Sequence, residues 1–177
     1  MKSYFEIKVP IDNNALWFHE LKRAMKDVPV RWQNDFYHIT IAFLYDMPDV
    51  VVEKLAKTIG EIIKRKQSFN LTLDRLSAFT TQSGDIHIIN ITSSTDKTSA
   101  MSLIEEVREE IIKGGYDIEQ DFRLHITLGR VGANAISLSE LSDKISKVII
   151  KPFDIKLSEI DYREFRGRTI SQWQLLL

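Results

Sequence analysis

Apolar and polar residues alternate along several short stretches of the chain, and between these stretches they recur at helical spacing. Residues 4–9 alternate and stop at Pro10, which predicts a first strand. Asn13 is placed to cap a helix through about residue 26, with Leu16, Leu21 and Met25 as a partial apolar face. Residues 36–44 predict a second strand. Val52, Leu55, Ile59, Ile62 and Ile63 mark an amphipathic helix over residues 49–66. Two strand-like segments follow, 69–79 and 85–92, joined by the turn-rich Thr80-Thr81-Gln82-Ser83-Gly84. Leu103, Ile104, Val107 and Ile111 define a helix over 96–113, stopped by Gly114-Gly115. A strand at 123–131 and a helix at 138–148 come next. Strands at 153–162 and 169–176 are joined through Phe165-Arg166-Gly167-Arg168. No Pro-, Ser- or Gly-rich linker divides the chain, so residues 1–177 are expected to form one α+β domain.

One pattern occurs twice. Tyr37-His38-Ile39-Thr40-Ile41-Ala42-Phe43 and Leu124-His125-Ile126-Thr127-Leu128-Gly129-Arg130 share apolar-His-Ile-Thr-apolar, with the histidines 87 residues apart (38 to 125). Each copy is strand-like and is followed by a helix-like stretch. In a strand His38 and Thr40 point to one face and Ile39 and Ile41 to the other, and the same holds for the second copy. The apolar faces can pack under helices. Two halves related by a pseudo-twofold axis would then bring two imidazoles and two hydroxyls together across one cleft.

That set suits in-line displacement at a phosphodiester. Imidazole has both protonation states available near neutrality, so one histidine can take a proton and the other can give one. The Thr hydroxyls can hold the non-bridging phosphoryl oxygens in the transition state. A zinc site is the weaker alternative, because the motifs offer no third ligand at a useful spacing and no Glu beside a His. Asp35 and Asp121 precede the motifs and are read as solvated loop residues. His19 and His87 stand outside the repeat and are read as structural. Arg130, after the second motif, is a phosphate contact or a surface cation at a strand end, and the pattern leaves both open. Arg163, Arg166 and Arg168 are read as a solvated hairpin rather than a steering cluster, and Trp32 and Phe79 as core rather than base-stacking platforms.

Composition narrows the partners. Hydrophobic residues make up 44% of the 177 and charged residues 28%, ordinary globular values. The net charge of −1 lacks the basic excess of proteins that track long nucleic acids, which favours a nucleotide, a short oligomer or a strand end. The absence of Cys removes disulfides and thiolate chemistry. Glu and Lys interrupt the N-terminal residues early, and no segment approaches the roughly 18 apolar residues of a membrane span. A cytoplasmic protein without membrane association is therefore expected, and the sequons at Asn70 and Asn90 carry no weight.

At the two motifs the chain resembles the two-histidine (2H) phosphoesterase superfamily, in its bacterial 2′–5′ RNA ligase-like branch. The resemblance extends to Arg31-Trp32-Gln33-Asn34-Asp35-Phe36 before the first motif, to the Leu128-Gly129-Arg130 ending of the second, and over nearly the whole chain. It implies a bilobal fold with mainly antiparallel sheets lining a central cleft and helices outside. It also implies phosphodiester chemistry without metal or cofactor, with His38, His125, Thr40 and Thr127 catalytic. The implied substrates are 2′,3′-cyclic phosphates, 2′–5′ linkages at RNA ends, or small nucleotide phosphodiesters. Leu124 stands where many members have Pro, and Arg168-Thr169-Ile170 follows Gly167 where many keep Gly-x-x-Tyr, which leaves the substrate subgroup open. A monomer is expected. A non-catalytic RNA-end or nucleotide-binding module and a 2′–5′ RNA ligase are the alternatives, and the near-symmetric motifs do not say which histidine is acid and which is base.

Overall fold

The computed structural model describes residues 1–177. In chain order the elements are β1 (Ser3–Lys8), α1 (Leu16–Ala24), β2 (Arg31–Trp32), β3 (His38–Leu44), α2 (Asp49–Ile63), β4 (Phe69–Leu73) and β5 (Arg75–Thr80). They continue with β6 (Ile86–Thr92), α3 (Thr98–Lys113), β7 (Ile126–Gly132), α4 (Leu138–Ser146), β8 (Phe153–Leu157), β9 (Glu159–Glu164) and β10 (Thr169–Gln174). Seven strands lie in the order β10-β9-β1-β3-β7-β6-β5, β2 adds to β7, and β4 pairs with β8 in a separate two-stranded sheet. Every pairing between these strands is antiparallel.

The two motif strands meet at the middle of the large sheet, through a single register pair, Ile39 with Ile126. Both isoleucines are fully buried. A pseudo-twofold axis passes through this pair and relates β3 to β7, β1 to β6 and β9 to β5. Beyond the pair the two strands part, and each exposed edge is taken up in the same way. Arg31 and Trp32 of β2 pair with Arg130 and Gly129 of β7, while Ile118 bridges to Leu44 of β3. Arg31 and Ile118 each lie seven residues ahead of their own motif histidine (31 to 38, 118 to 125). Each motif's approach thus straps the other motif's strand. Arg108 completes the second strap: Nη1 donates to Ile41 O at 2.9 Å and to Glu119 Oε1 at 2.7 Å, and Glu119 Oε2 accepts from Phe43 N at 2.8 Å. Backbone groups that the splay would leave unpaired, a penalty of about 1–3 kcal/mol each when buried, are satisfied by side chains.

The helices form because their apolar stripes have this sheet to cover. α2 buries Val52, Leu55, Ile59, Ile62 and Ile63, and α3 buries Leu103, Ile104, Val107 and Ile111. The Ser137 hydroxyl caps α4 by accepting from Glu140 N at 3.1 Å, worth about 1 kcal/mol. One continuous cluster of 39 buried residues runs beneath both halves.

Three expectations are corrected. The segment 69–79 is two strands in different sheets, because Asp74 turns the chain: Oδ1 and Oδ2 accept from Ser94 N and Ser94 Oγ at 2.7 and 2.6 Å. The segment 153–162 breaks in the same manner at Ser158, between β8 and β9. Asn13 does not cap α1. Ala15 holds that position without a side-chain bond, and Asn13 instead donates to Asn34 O at 2.8 Å and accepts from Tyr37 OH at 2.5 Å. It ties the start of the helix to the approach of β3.

Gly129 is the tightest point of the β2 strap. A Cβ there would lie 2.7 Å from Val30 Cγ1 and 3.0 Å from Trp32 Cε3. Gly129→Ala is therefore expected to destabilise the protein by about 1–3 kcal/mol, as overpacking of a tight core does. Denaturant unfolding of the two proteins measures this, and equal midpoints would show that β2 yields freely.

Candidate active site

The site is built on the polar face of β3 and β7, around the Ile39–Ile126 seam. His38 and Thr40 project from one strand and His125 and Thr127 from the other, all opposite to the buried isoleucines. Each imidazole is anchored alike. His38 Nδ1 lies 3.0 Å from Phe36 O and His125 Nδ1 lies 2.7 Å from Arg123 O, in both cases the carbonyl two residues earlier. A carbonyl only accepts, so Nδ1 carries the hydrogen and Nε2 is left for the cleft. Phe36 reaches this geometry at a φ of 54°, an uncommon conformation for a bulky residue that costs on the order of 1–3 kcal/mol.

Both motif strands carry a bulge three residues after the histidine. The β1–β3 register skips Ile41, passing from Thr40 opposite Glu6 to Ala42 opposite Phe5. The β6–β7 register skips Leu128, passing from Thr127 opposite Asn90 to Gly129 opposite Ile89. Regular alternation would turn Arg130 away from Thr127, and the bulge returns it to the same face. Arg130 occupies the position that Phe43 holds in the first copy (43 to 130, again 87 residues). Its guanidinium lies near enough to both imidazoles to disfavour their charged forms. Burial is the largest influence on either ring and lowers both below the ordinary histidine value, with Arg130 acting in the same direction.

The two sides of the cleft differ in charge. Beyond His125 a groove of about 530 Å³ is lined by Arg75, Lys97, Arg123, Phe79 and small polar residues of β5 and β6. Phe79 meets the His125 ring edge-on at 5.0 Å, with the Arg123 guanidinium 4.6 Å from the Phe79 ring centre. Beyond His38, β1 and β9 place Glu6, Asp161 and Glu159 side by side. Glu6 and Asp161 are only 3% and 5% exposed. Another groove, between α2 and β10 around Gly60 and Trp173, contains no motif residue.

The family profile described as LigT like phosphoesterase matches the chain over residues 7–89 and again over 93–169, one match per half. The chain belongs to the LigT-like phosphoesterase family. It is 28% identical over 94 residues to the RNA 2′,3′-cyclic phosphodiesterase of Thermotoga maritima, a match covering 53% of this chain and 49% of that protein. The chain thus spans about half the length of that curated relative. The E. coli LigT structure in complex with 3′-AMP aligns with a TM-score of 0.64 at 21% identity, over 99% of this chain and 98% of that one. Usb1 of Kluyveromyces marxianus aligns over the same shares with a TM-score of 0.71 at 12% identity. At these identities the likeness is one of fold. The bilobal α+β fold expected of a LigT-like chain is the one found.

In this LigT-like fold the remaining sequence candidates fall into place. His87 is buried and satisfied by Thr80 Oγ1 at 2.9 Å and Ile136 O at 2.8 Å, and His19 is exposed on α1. Asp35 and Asp121 are exposed loop residues. Trp32 packs against Phe18 at 5.9 Å, as core. Phe79, read as core, instead lines the groove, because Arg75, Ser77 and Phe79 share the face of β5 that meets Asn90 and Thr92. Arg163, read as part of a solvated hairpin, lies 3.6 Å from Glu6 Oε1 and 5.3 Å from the Phe36 ring. Only Arg166 and Arg168 of that cluster are exposed. Neither motif pattern pointed to Glu6. Its one sequence signal is a place on the polar face of β1 with Tyr4 and Lys8, and its nearness to His38 follows from strand register alone.

No helix is long and apolar enough to cross a membrane. The Glu6 carboxyl is pushed up from 4.5 to about 7, first by burial, with Asp161 and Glu159 adding and Arg163 opposing. Between these values the folded protein keeps a proton that the unfolded chain releases. The stabilisation is therefore complete below about pH 4.5 and lost as pH rises through about 7. Glu6→Gln is expected to shrink the fall in stability between these limits by on the order of 1–3 kcal/mol. Denaturant titrations of wild type and variant at both ends of the range check this, and parallel losses would mean that Glu6 titrates normally.

Proposed function

We propose that the chain is a metal-independent phosphodiesterase that opens 2′,3′-cyclic phosphate or 2′–5′ linkages at RNA ends, by acid/base catalysis between His38 and His125. The observation that carries this is the pair of Nδ1-anchored imidazoles about the Ile39–Ile126 seam, each with a threonine hydroxyl on its own strand face. In hydrolysis one Nε2 takes a proton from water as its oxygen bonds to phosphorus. The other Nε2 gives a proton to the ribose oxygen as the old P–O bond breaks. Thr40 and Thr127 donate to the non-bridging oxygens, and Arg130 offsets the charge that gathers there. Imidazoles, hydroxyls and a guanidinium supply both proton transfers and charge stabilisation, so the mechanism calls for no metal.

The name of the Thermotoga maritima relative supports the cyclic-phosphate chemistry, and the basic groove supports an RNA end as substrate over a lone nucleotide. Arg75, Lys97 and Arg123 suit the phosphates that precede the reacting end, while Phe79 offers a face or edge to a base. A net charge of −1 is compatible with this, since the basic residues are gathered at one side of the cleft.

Turnover of an oligonucleotide ending in a 2′,3′-cyclic phosphate tests the proposal. His38→Ala and His125→Ala are each expected to lower kcat/KM by about 10²–10⁴-fold with the fold intact, and EDTA is expected to change nothing. Wild-type rates in both variants, or activity lost to EDTA and restored by zinc, would refute the mechanism. Stacking worth about 1–3 kcal/mol per base predicts that the oligonucleotide exceeds the cyclic mononucleotide in kcat/KM by roughly tenfold. Equal values would remove the groove from the substrate path.

A further inference from the structure

The pseudo-twofold axis relates more than the motifs. Phe36 and Arg123 hold matching places, each two residues before its motif histidine and each lending its carbonyl to that ring. Arg163 and Phe79 match as well. Arg163 of β9 stands opposite Tyr4, which stands opposite Phe43. Phe79 of β5 stands opposite Ile88, which stands opposite Arg130. Both matched pairs are in contact. The Arg123 guanidinium lies 4.6 Å from the Phe79 ring centre, and the Arg163 guanidinium lies 5.3 Å from that of Phe36. Each half thus sets one ring and one guanidinium beside its motif histidine, with their places exchanged between the halves.

Packing does not explain Phe36. Its side chain is 62% exposed, and its φ of 54° is a conformation that a bulky residue adopts only at a cost. A surface cation–π pair offsets part of that cost and no more. The loop nonetheless holds this residue firmly. Gln33 Nε2 donates to Asp35 O at 2.7 Å, Asn13 Nδ2 donates to Asn34 O at 2.8 Å, and the Tyr37 hydroxyl lies 2.6 Å from Gln33 O. Arg163, itself 3.6 Å from Glu6 Oε1, lies on the sheet face shared by Tyr4 and Glu6. The Tyr4 ring is 5.8 Å from that of His38. The Phe36 ring therefore sits over the side of the sheet that carries His38 and Thr40, one face on Arg163 and the remainder open.

Resting on the hydrolase reading above, we infer that Phe36 is a stacking platform for the base of the nucleoside beyond the scissile phosphate, so that the site takes a linear diester between two nucleosides. The groove with Phe79 holds the chain that precedes the phosphate, and Phe36 holds the nucleoside that departs. A 2′,3′-cyclic phosphate has no nucleoside on that side and leaves the Phe36 ring unused. A 2′–5′ linkage, the other diester proposed above, places a base on each side. Every base has a π-face, so the platform reads the architecture of the linkage and not the identity of the base. In cleavage the oxygen of water bonds to phosphorus and the bond from phosphorus to the 5′ oxygen breaks. That oxygen takes a proton and leaves on the nucleoside that Phe36 holds, while the preceding nucleoside keeps a 2′-phosphate.

The test uses the full chain and two diesters, 2′–5′-linked adenylyl adenosine and adenosine 2′-(methyl phosphate). They share the preceding nucleoside and the phosphate and differ in the departing group. The readout is the ratio of their kcat/KM values, in which any disturbance of His38 common to both cancels. Wild type is expected to favour the dinucleotide by roughly tenfold to hundredfold. Phe36→Asn removes the ring and keeps a residue that accepts a positive φ. It is expected to lower the ratio by roughly tenfold, whereas Phe36→Trp keeps it. Phe36→Gly carries the same expectation as Phe36→Asn if that variant fails to fold. A wild-type ratio near one, or a ratio that survives loss of the ring, overturns the inference. A wild type that opens a cyclic phosphate but leaves the dinucleotide intact overturns it too and spares the hydrolase reading. If the wild type cleaves none of the three, the hydrolase reading falls, and affinity for the two uncleaved diesters decides the platform by itself. A dinucleotide advantage of about tenfold that vanishes in Phe36→Asn supports it, and equal affinities overturn it.

Discussion

The whole site depends on one pair of residues, Ile39 and Ile126, where the two halves of the large sheet touch. A full ladder between β3 and β7 would draw the motif strands into a flat surface and leave no cleft. No pairing at all would let the halves drift and separate the two imidazoles. A single buried contact on a pseudo-twofold axis holds the histidines at a fixed spacing while the strands diverge on either side. The divergence exposes strand edges, a liability that sheets must cover. Here β2 and the Ile118–Glu119 segment cover them reciprocally, which is why the seven residues before each histidine matter as much as the motif.

The bulges at Ile41 and Leu128 follow from the same constraint. A strand that must both pair at the seam and bend away from it needs a local kink, and an extra residue on one strand provides one. Inserting that residue also shifts the alternation by one. In β7 the shift brings Arg130 onto the face that carries His125 and Thr127, and in β3 it brings Phe43 onto the face of His38 and Thr40. One backbone device therefore delivers a cation to the cleft from the second half and an aromatic ring from the first.

Much of this was legible in the residues. The paired His-Ile-Thr motifs, the α2 and α3 stripes and the alternation of β1 each depend on a local period, and a period survives in sequence. What was not legible depends on contacts between distant segments. Asp74 looks like any strand-interrupting residue until Ser94 is beside it, and Ser158 breaks its strand only because β8 must leave the main sheet to join β4. Phe79 was taken for core because aromatic residues in strands usually are, yet the register with β6 turns it into the groove. Arg163 belongs to a visibly basic hairpin, but only its pairing across from Tyr4 brings it to Glu6.

The pseudo-symmetry holds in the motif strands and breaks in the strands beside them. Within the motifs both rings keep the same anchor, Nδ1–H to the carbonyl two residues earlier. The differences lie one strand away: Glu6 with Arg163 behind His38, and Asn90 with Ser77 at the matching place beside His125. The shared scaffold keeps the two rings alike in anchor and in burial, which lowers both below the ordinary histidine value, while the neighbouring strands differ in the side chains they set beside each ring.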